Sequence, residues 1–278
     1  MLLADGGEGT LDAFHEAFGG DERFAWVHDP LGRQAEVTWR LLPDGQAVVE
    51  SAQAIGLSKL APGERDPLRA SSRGLGELML AAAEEASALI VGLGDSATVD
   101  GGAGLREVLD ELPAPTTVLC DVRNPLLDAA RVFARQKGAS PDQVAELEAR
   151  LLGMHELRVY AEAPGSGAAG GLGAAFASLG AELVPGADYV AELVGLRETI
   201  RGAELVVTGE GVVDRTSLEG KVSGTVAALC SEESVRCVVF GGRVDQAPPG
   251  AEVHELSGEP DRAREDLVAL GELLGRSL

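Results

Sequence analysis

Residues 88–102 read ALIVGLGDSATVDGG, and this stretch decides the fold class. Its first five residues are an apolar run typical of a buried strand, and the glycine-rich remainder contains carboxylates and hydroxyls. The Ala- and Leu-rich segment before it, residues 74–88, has the composition of a helix. A helix, a buried strand and a glycine-rich loop in this order are typical of parallel α/β units, whose ligands bind at the carboxyl ends of the strands.

The same order recurs near the C-terminus, where a strand at residues 204–207 leads into the loop TGEGVVD at 208–214. A third stretch of this kind, ADGGEGT at 4–10, precedes a helix at 10–18. Glycine has no Cβ, so backbone N–H groups in such loops can approach a ligand closely. The three loops predict a site for an anion, with carboxylates available for a metal ion. The remaining predicted strands are 24–27, 36–42, 47–50, 235–240 and 253–256, and the remaining predicted helices are 172–179, 221–231 and 263–274.

The composition excludes several classes of partner. The chain has 278 residues, enough for one large domain or two small ones, and a formal net charge of -22. Such a charge argues against nucleic acids and anionic membrane surfaces, which are bound through Lys and Arg. The three cysteines form no CxxC pair and lie beside apolar residues, so we expect buried free thiols. The chain start is unlike a signal peptide and no apolar run reaches membrane-spanning length, so we expect a cytoplasmic protein.

Residues 165–170, GSGAAG, match the pattern GxGxxG. A dinucleotide fold requires a strand just before this pattern and an acidic residue that closes the next strand, and the sequence supplies neither, so we reject NAD binding. Two interpretations stay open: the loop and the following helix N-terminus cradle a phosphate, or the glycines allow close helix packing. The candidate cofactor-binding residues are Gly165, Gly167, Gly170 and Gly171.

Two carboxylates, Glu210 and Asp214, follow the strand at 204–207. They can ligate Mg²⁺ or deprotonate a substrate hydroxyl, although Asp and Glu are also common in turns. Lys221 lies in a sequence similar to a P-loop, but Val222 replaces the hydroxyl that binds Mg²⁺ there. This lysine either neutralises phosphate charge or is an exposed residue at a helix start. The four histidines lack the spacing of a zinc site, and the sequence contains no GxSxG nucleophile elbow.

Six motifs occur in a fixed order along the chain. They are ADGGEGT at 4–10, GDSATVDGGAG at 94–104, CDVRNPL at 120–126, QKGA at 136–139, PGSGAAGGLG at 164–173 and TGEG at 208–211. In this order they resemble the bacterial type I glycerate kinases, from residue 4 to about residue 242. The resemblance implies two α/β domains. One is Rossmann- or flavodoxin-like with a parallel sheet, at 1–20 and 195–278, and the other is a mixed α/β domain inserted into it, at 21–194.

The resemblance also implies a reaction and roles for residues. The family transfers the γ-phosphoryl group of ATP to a hydroxyl of D-glycerate with Mg²⁺, so ATP and Mg²⁺ are the expected cofactors. Glu210, Asp214 and Lys221 are expected near the transferred phosphoryl group, with Glu210 and Asp214 as metal ligands. The residues expected to line the glycerate side are Asp5, Glu8, Ser96, Asp100, Gly101 and Asp121.

The sequence departs from the family pattern in several places. Family members usually begin with a strand and an Asp-Ser-Phe-Lys-Gly-Ser loop ahead of the first motif, whereas the given sequence starts at that motif. We therefore expect a shortened and divergent member, whose exposed sheet edge a homodimer contact can cover. Our first hypothesis is an active glycerate kinase, and the alternative is a degenerate relative that binds a small carboxylate or a nucleotide without turnover. The point departures are Asp95 where Gly is usual, Val99 where Asn is usual, Val212 where Arg is usual and Thr216 where Gln is usual.

Overall fold

A computed structural model describes residues 1–215, 217 and 220–276. The chain divides into two compact units, Met1–Tyr189 and Val190–Leu278. The strands are β1 (Asp21–His28), β2 (Gln34–Leu41), β3 (Gln46–Glu50), β4 (Ala88–Leu93), β5 (Thr116–Cys120), β6 (Glu182–Pro185), β7 (Leu205–Val213), β8 (Arg236–Val244) and β9 (Glu252–Glu255). The α-helices are α1 (Thr10–Phe18), α2 (Ser51–Ile55), α3 (Arg73–Ala83), α4 (Ala103–Arg106), α5 (Ala129–Phe133), α6 (Pro141–Gly153), α7 (Ala168–Ser178), α8 (Gly186–Leu193), α9 (Leu196–Arg201), α10 (Val222–Glu233) and α11 (Ala263–Gly275).

The first unit is built on a six-stranded sheet in the order β1 to β6. β1, β2 and β3 pair antiparallel, and β3 to β6 pair parallel. β4 is the apolar run that decides the fold class, and it is buried from Leu89 to Leu93. α2, α3 and α7 pack on the sheet, and Leu78, Met79 and Phe176 are among the fully buried side chains between them. The predicted mixed α/β architecture is confirmed.

The second unit has a three-stranded parallel sheet in the order β7, β8, β9. α10 packs on β7 and β8. Leu270 and Leu274 of α11 form a buried cluster with Val238 of β8. Glu233 of α10 forms an ion pair with Arg197 of α9. The predicted fold class, two α/β units of which one has a parallel sheet, is therefore confirmed.

The length of β7 differs from the prediction. The sequence predicts that this strand ends at residue 207, but its pairing with β8 continues as far as Val213. Parallel pairing uses backbone N–H and C=O groups, so Gly209 can continue the ladder without a side chain. Glu210 therefore belongs to a strand and not to a loop.

The position of α1 bears on the domain boundaries. α1 packs on β3 within the first unit. The grouping of residues 1–20 with 195–278 into one discontinuous domain, with 21–194 inserted, stays a prediction.

Two further expectations concern the cysteines and membrane spans. Cys120, Cys230 and Cys237 are all free and buried, as predicted. In the described ranges, no helix is both long enough and apolar enough to cross a membrane.

Candidate active site

The loop at residues 4–10 lies across the carboxyl ends of β4, β5 and β6. A Cβ on Gly92 would lie 2.5 Å from the carbonyl oxygen of Gly6, and a Cβ on Gly6 would lie 2.5 Å from that of Leu119. A Cβ on Gly186, which follows β6, would lie still closer to a carbonyl oxygen, 1.9 Å from that of Asp5. Only glycine permits such close backbone approach. The loop and the residues that follow β4 and β5 therefore lie together at the carboxyl ends of the parallel strands, where α/β folds bind ligands. We call this region the carboxyl edge of the sheet.

Lys137 lies at this edge and is almost fully buried, with 4% of its surface exposed. Its Nζ donates hydrogen bonds to Oγ of Ser96 at 2.9 Å and to the carbonyl oxygen of Thr98 at 2.8 Å. Burial lowers the pKa of Lys137 from its ordinary value of 10.5 to about 8, and the carboxylates of Asp121, Asp100 and Asp95 oppose this shift. A cation is thus held within the structure close to several negative charges.

A small cavity of about 80 Å³ lies beside this lysine. Ser96 and Asp121, two predicted glycerate-side residues, line it together with Lys137 and Asp95. Sequence reasoning missed Lys137 as a site residue. The available signal was its motif, QKGA at 136–139, which is one of the six that resemble the family.

Asp100 holds the glycine loop that contains it. Its carboxylate accepts hydrogen bonds from the backbone N–H and the hydroxyl of Ser72, both at 2.8 Å, and from the N–H groups of Gly102 and Gly104, both at 3.1 Å. Gly101 and Gly102 have φ values of 60° and 77°, which favour glycine. Asp100 and Gly101 therefore shape the loop before α4. The Asp100 carboxylate already accepts four hydrogen bonds from protein groups.

The first loop brings further carboxylates to the same unit. The side chain of Asp5 accepts a hydrogen bond from the N–H of Gly7 at 3.1 Å, and Glu8 is exposed. Glu50, at the end of β3, is buried and accepts a hydrogen bond from the N–H of Leu11 at 2.6 Å. Burial raises the pKa of Glu50, while the hydrogen bond from Leu11 lowers it. Sequence reasoning missed Glu50 because its partner, in the first turn of α1, lies far away along the chain.

The glycine-rich segment at 165–171 is packed inside the first unit. Gly165, Gly167, Gly170 and Gly171 are all buried. A Cβ on Gly170 or on Gly167 would collide with a backbone carbonyl oxygen, that of Thr98 or of Pro125. The N–H of Gly167 already donates to the carbonyl oxygen of Asn124 at 2.9 Å. These contacts favour the packing interpretation over phosphate binding.

In the second unit, two of the three predicted catalytic residues are in contact. Nζ of Lys221 lies 3.4 Å from Oε2 of Glu210. The hydroxyl of Ser223, a residue that sequence reasoning did not single out, donates a hydrogen bond to the same carboxylate. Lys221 is the N-cap residue of α10, so the first N–H groups of this helix lie next to its backbone. The arrangement places a carboxylate, a hydroxyl, an ammonium group and a helix N-terminus together.

Asp214, the third predicted catalytic residue, follows β7 directly. Its backbone N–H donates to Oγ of the buried Ser217 at 3.0 Å. Thr216 lies outside the described residues. Within the described part of the chain, no group of three or more His, Cys, Asp or Glu side chains could hold a metal ion. A Mg²⁺ ion would need only one or two carboxylates here, because it keeps several waters and is bound together with substrate phosphates.

Comparisons with known proteins identify the family. The sequence model of the glycerate kinase family matches residues 1–112 and 111–258. The chain is 40% identical over 274 residues to the glycerate 2-kinase of Escherichia coli K12, which covers 83% of this chain and 72% of that protein. It is 34% identical to the glycerate kinase of Halalkalibacterium halodurans, covering 88% of this chain and 76% of that protein. A solved structure from Salmonella typhimurium LT2, named as a provisional glycerate kinase 2, superposes with a TM-score of 0.73 at 31% identity, covering 99% of this chain and 89% of that one. This chain belongs to the glycerate kinase family.

Proposed function

We propose that this chain is an ATP-dependent glycerate kinase, which transfers the γ-phosphoryl group of ATP to a hydroxyl of D-glycerate. The family match and the names of the relatives support the reaction and the substrate. One geometric observation supports a carboxylate substrate: a buried ammonium group, that of Lys137, lies beside Ser96 and Asp121 at the carboxyl edge of the sheet. A hydroxy acid needs a cation for its carboxylate and hydrogen-bonding groups for its hydroxyls, and this edge offers both.

The proposed glycerate site lies in the first unit. The carboxylate of glycerate binds near Lys137, whose burial strengthens the attraction because little water screens the charge. Asp121 is our candidate for the carboxylate that orients the attacking hydroxyl and accepts its proton. Ser96 and Asp5 are the proposed hydrogen-bonding partners of the remaining oxygens. Asp100 is a positioning residue in this proposal, because its carboxylate contacts its own loop.

The proposed nucleotide site lies in the second unit. Glu210 and Asp214 would hold the Mg²⁺ of MgATP, which supplies neutralisation of phosphate charge when it is bound. Lys221 and the N-terminus of α10 are the proposed contacts of the phosphate groups, because helix N–H groups and a lysine both attract anions. Ser223 fixes the Glu210 carboxylate through its hydrogen bond.

The test is ADP release from ATP and Mg²⁺ in the presence of D-glycerate. For Lys137→Met we expect kcat/KM for glycerate to fall about 10- to 100-fold, because a hydrogen bond to a charged group contributes about 1.5–3 kcal/mol. For Asp214→Asn we expect kcat to fall while KM for glycerate stays near that of the wild type, because this residue is proposed to act on the metal and phosphate side.

Thermal unfolding of each variant is the control for folding. A folded wild-type chain without glycerate-dependent ADP release would contradict the kinase. Calorimetric titration with glycerate and with ATP then tests the alternative, a relative that binds without turnover.

A further inference from the structure

A cavity of about 360 Å³ lies within the second unit, beside the carboxyl-terminal halves of β7 and β8 and the residues that follow β9. Phe240 of β8 and Leu256, which follows β9, form one part of its wall. Ala263 and Leu267 of α11 form another, and Glu210 lies at its edge. Its volume is within the range of small-molecule sites, roughly 300–1,000 Å³. The described residues that line it all belong to the second unit.

We propose that this cavity, the adenosine cleft, binds the base and ribose of ATP, an inference that rests on the proposed kinase function. The carboxyl ends of parallel strands are where α/β folds bind nucleotides. The cleft also shares a residue with the proposed phosphate site, since Glu210 lines the cleft and contacts Lys221. Base and phosphates would thus bind on neighbouring parts of one unit.

The walls of the cleft suit a flat apolar ring. The ring of Phe240 is half-buried and lies so close to the backbone of Gly209 that a Cβ there would be 2.5 Å from two of its atoms. The absence of a side chain at Gly209 thus leaves room for the aromatic ring beside the cleft. Leu256 and Leu267 add aliphatic surface. An aromatic ring with aliphatic neighbours favours stacking of a purine base.

The turn after β9 offers an acceptor for ribose. The carboxylate of Asp266 accepts hydrogen bonds from the N–H of Ser257 at 3.1 Å and from its hydroxyl at 2.5 Å, which fixes the turn. Glu259, next in this turn, lines the cleft and is exposed. No hydrogen bond or ion pair joins its carboxylate to another described residue. Carboxylates that follow strands bind ribose hydroxyls in dinucleotide folds, and Glu259 is placed for the same contact.

Charge sets the orientation of the nucleotide. Three carboxylates, those of Glu210, Glu259 and Asp266, line the cleft, and its described lining contains no Lys or Arg. Phosphates would be repelled by the carboxylates of Glu259 and Asp266, whereas a neutral base and a sugar would not. The ammonium group of Lys221 contacts Glu210 without lining the cleft. The base therefore occupies the cleft and the triphosphate extends past Glu210 towards Lys221.

Two leucines of α11 provide a matched test. Leu267 lines the cleft and is 42% exposed, whereas Leu273 is 55% exposed and does not line it. We expect Leu267→Glu to weaken binding of MgATP by about tenfold or more, because a carboxylate would replace an apolar contact of the base. We expect Leu273→Glu to bind MgATP like the wild type. Both are measured by isothermal titration calorimetry, with magnesium tripolyphosphate as a second ligand whose affinity should not differ among the three proteins.

A second variant keeps the test independent of an added charge. Ala263→Phe adds bulk from the exposed first residue of α11 and should give the same selective loss of MgATP affinity. Unchanged MgATP affinity in both cleft variants would contradict binding of the base and ribose in the cleft. An equal loss in Leu273→Glu, or an equal loss of tripolyphosphate binding, would overturn it as well.

The outcomes for the cleft and for the proposed function are distinguishable. A wild-type chain that binds MgATP in the cleft but phosphorylates no glycerate would support the proposed nucleotide site and contradict the proposed kinase activity. A chain that phosphorylates glycerate, with unchanged affinity for MgATP in both cleft variants, would retain the function and contradict the cleft.

Discussion

Two opposing effects set the pKa of Lys137. Burial favours the neutral amine, the carboxylates of Asp121, Asp100 and Asp95 favour the ammonium form, and the resulting pKa is about 8. Glycerate is proposed to bind the ammonium form, so we expect kcat/KM for glycerate, which reports the free enzyme, to fall as the pH rises above about 8. Steady-state kinetics across this range test it. Lys137→Met should lack the fall, and a flat wild-type profile would contradict the assignment.

The same lysine predicts how stability changes with pH. Its pKa is about 8 in the folded chain and 10.5 ordinarily, so between these values the unfolded chain binds more protons than the folded chain. The contribution of Lys137 to the free energy of unfolding therefore increases as the pH rises through this window. Urea denaturation of the wild type and of Lys137→Met measures it as a difference between their pH profiles. Parallel profiles would show that the folded pKa is ordinary.

Asp95 adopts a left-handed backbone conformation, with φ 48°. The family that the sequence resembles usually has glycine here, and the backbone angle gives the physical reason. We expect Asp95→Gly to exceed Asp95→Ala in free energy of unfolding by about 1 kcal/mol, because a residue with a Cβ pays about 1–2 kcal/mol for this conformation. Both variants remove the same carboxylate, so their difference in urea denaturation isolates the backbone. Equal stabilities would mean that the loop adopts another conformation.

At the scale of elements, Glu50 joins the end of β3 to the start of α1. Its carboxylate satisfies the N–H of Leu11 in the first turn of that helix. We expect Glu50→Leu to lower the free energy of unfolding by about 1–3 kcal/mol, because the buried N–H loses its acceptor. Glu50→Gln keeps an acceptor and should lose less. A ranking in which both variants lose equally would argue against the hydrogen bond as the cause.

The elements that form the site were predictable where apolar runs end in polar loops. Ser96 and Asp121 follow β4 and β5, and parallel pairing brings such positions to one edge. The end of β7 was not predictable from composition, because its pairing with β8 continues through Gly209 and on to Val213. Glycine-rich sequence is compatible both with a loop and with a strand whose backbone needs close approach.

The roles of individual site residues were harder to predict than the elements. Lys137 is buried by contacts with Ser96 and Thr98, which lie 41 and 39 positions away along the chain. An isolated lysine in sequence is normally an exposed residue, so only the fold shows its burial. The glycines at 165–171 were predicted to bind the cofactor, but their contacts favour close packing. Their spacing in the sequence is compatible with both roles.

At the scale of the whole molecule, a net charge of -22 repels both proposed substrates, which are anions. Salt screens this long-range repulsion, whereas the buried ammonium of Lys137 is screened much less. We therefore expect kcat/KM for glycerate to increase as ionic strength rises from about 0.01 M to about 0.15 M at constant Mg²⁺. Lys137→Met should show the same trend from a lower starting value. A decrease would indicate that exposed cations attract the substrate and outweigh the net charge.

Alkylation of the three buried cysteines can report local unfolding of each unit separately. Burial raises the pKa of Cys120 and of Cys237 to about 12, so neither forms a reactive thiolate while its surroundings are closed. Cys120 belongs to the first unit, and Cys230 and Cys237 belong to the second. An alkylating reagent would therefore modify each thiol only during local unfolding. Mass spectrometry of the alkylated peptides would time these events in the unaltered chain, and glycerate should slow alkylation at Cys120 while ATP slows it at Cys230 and Cys237.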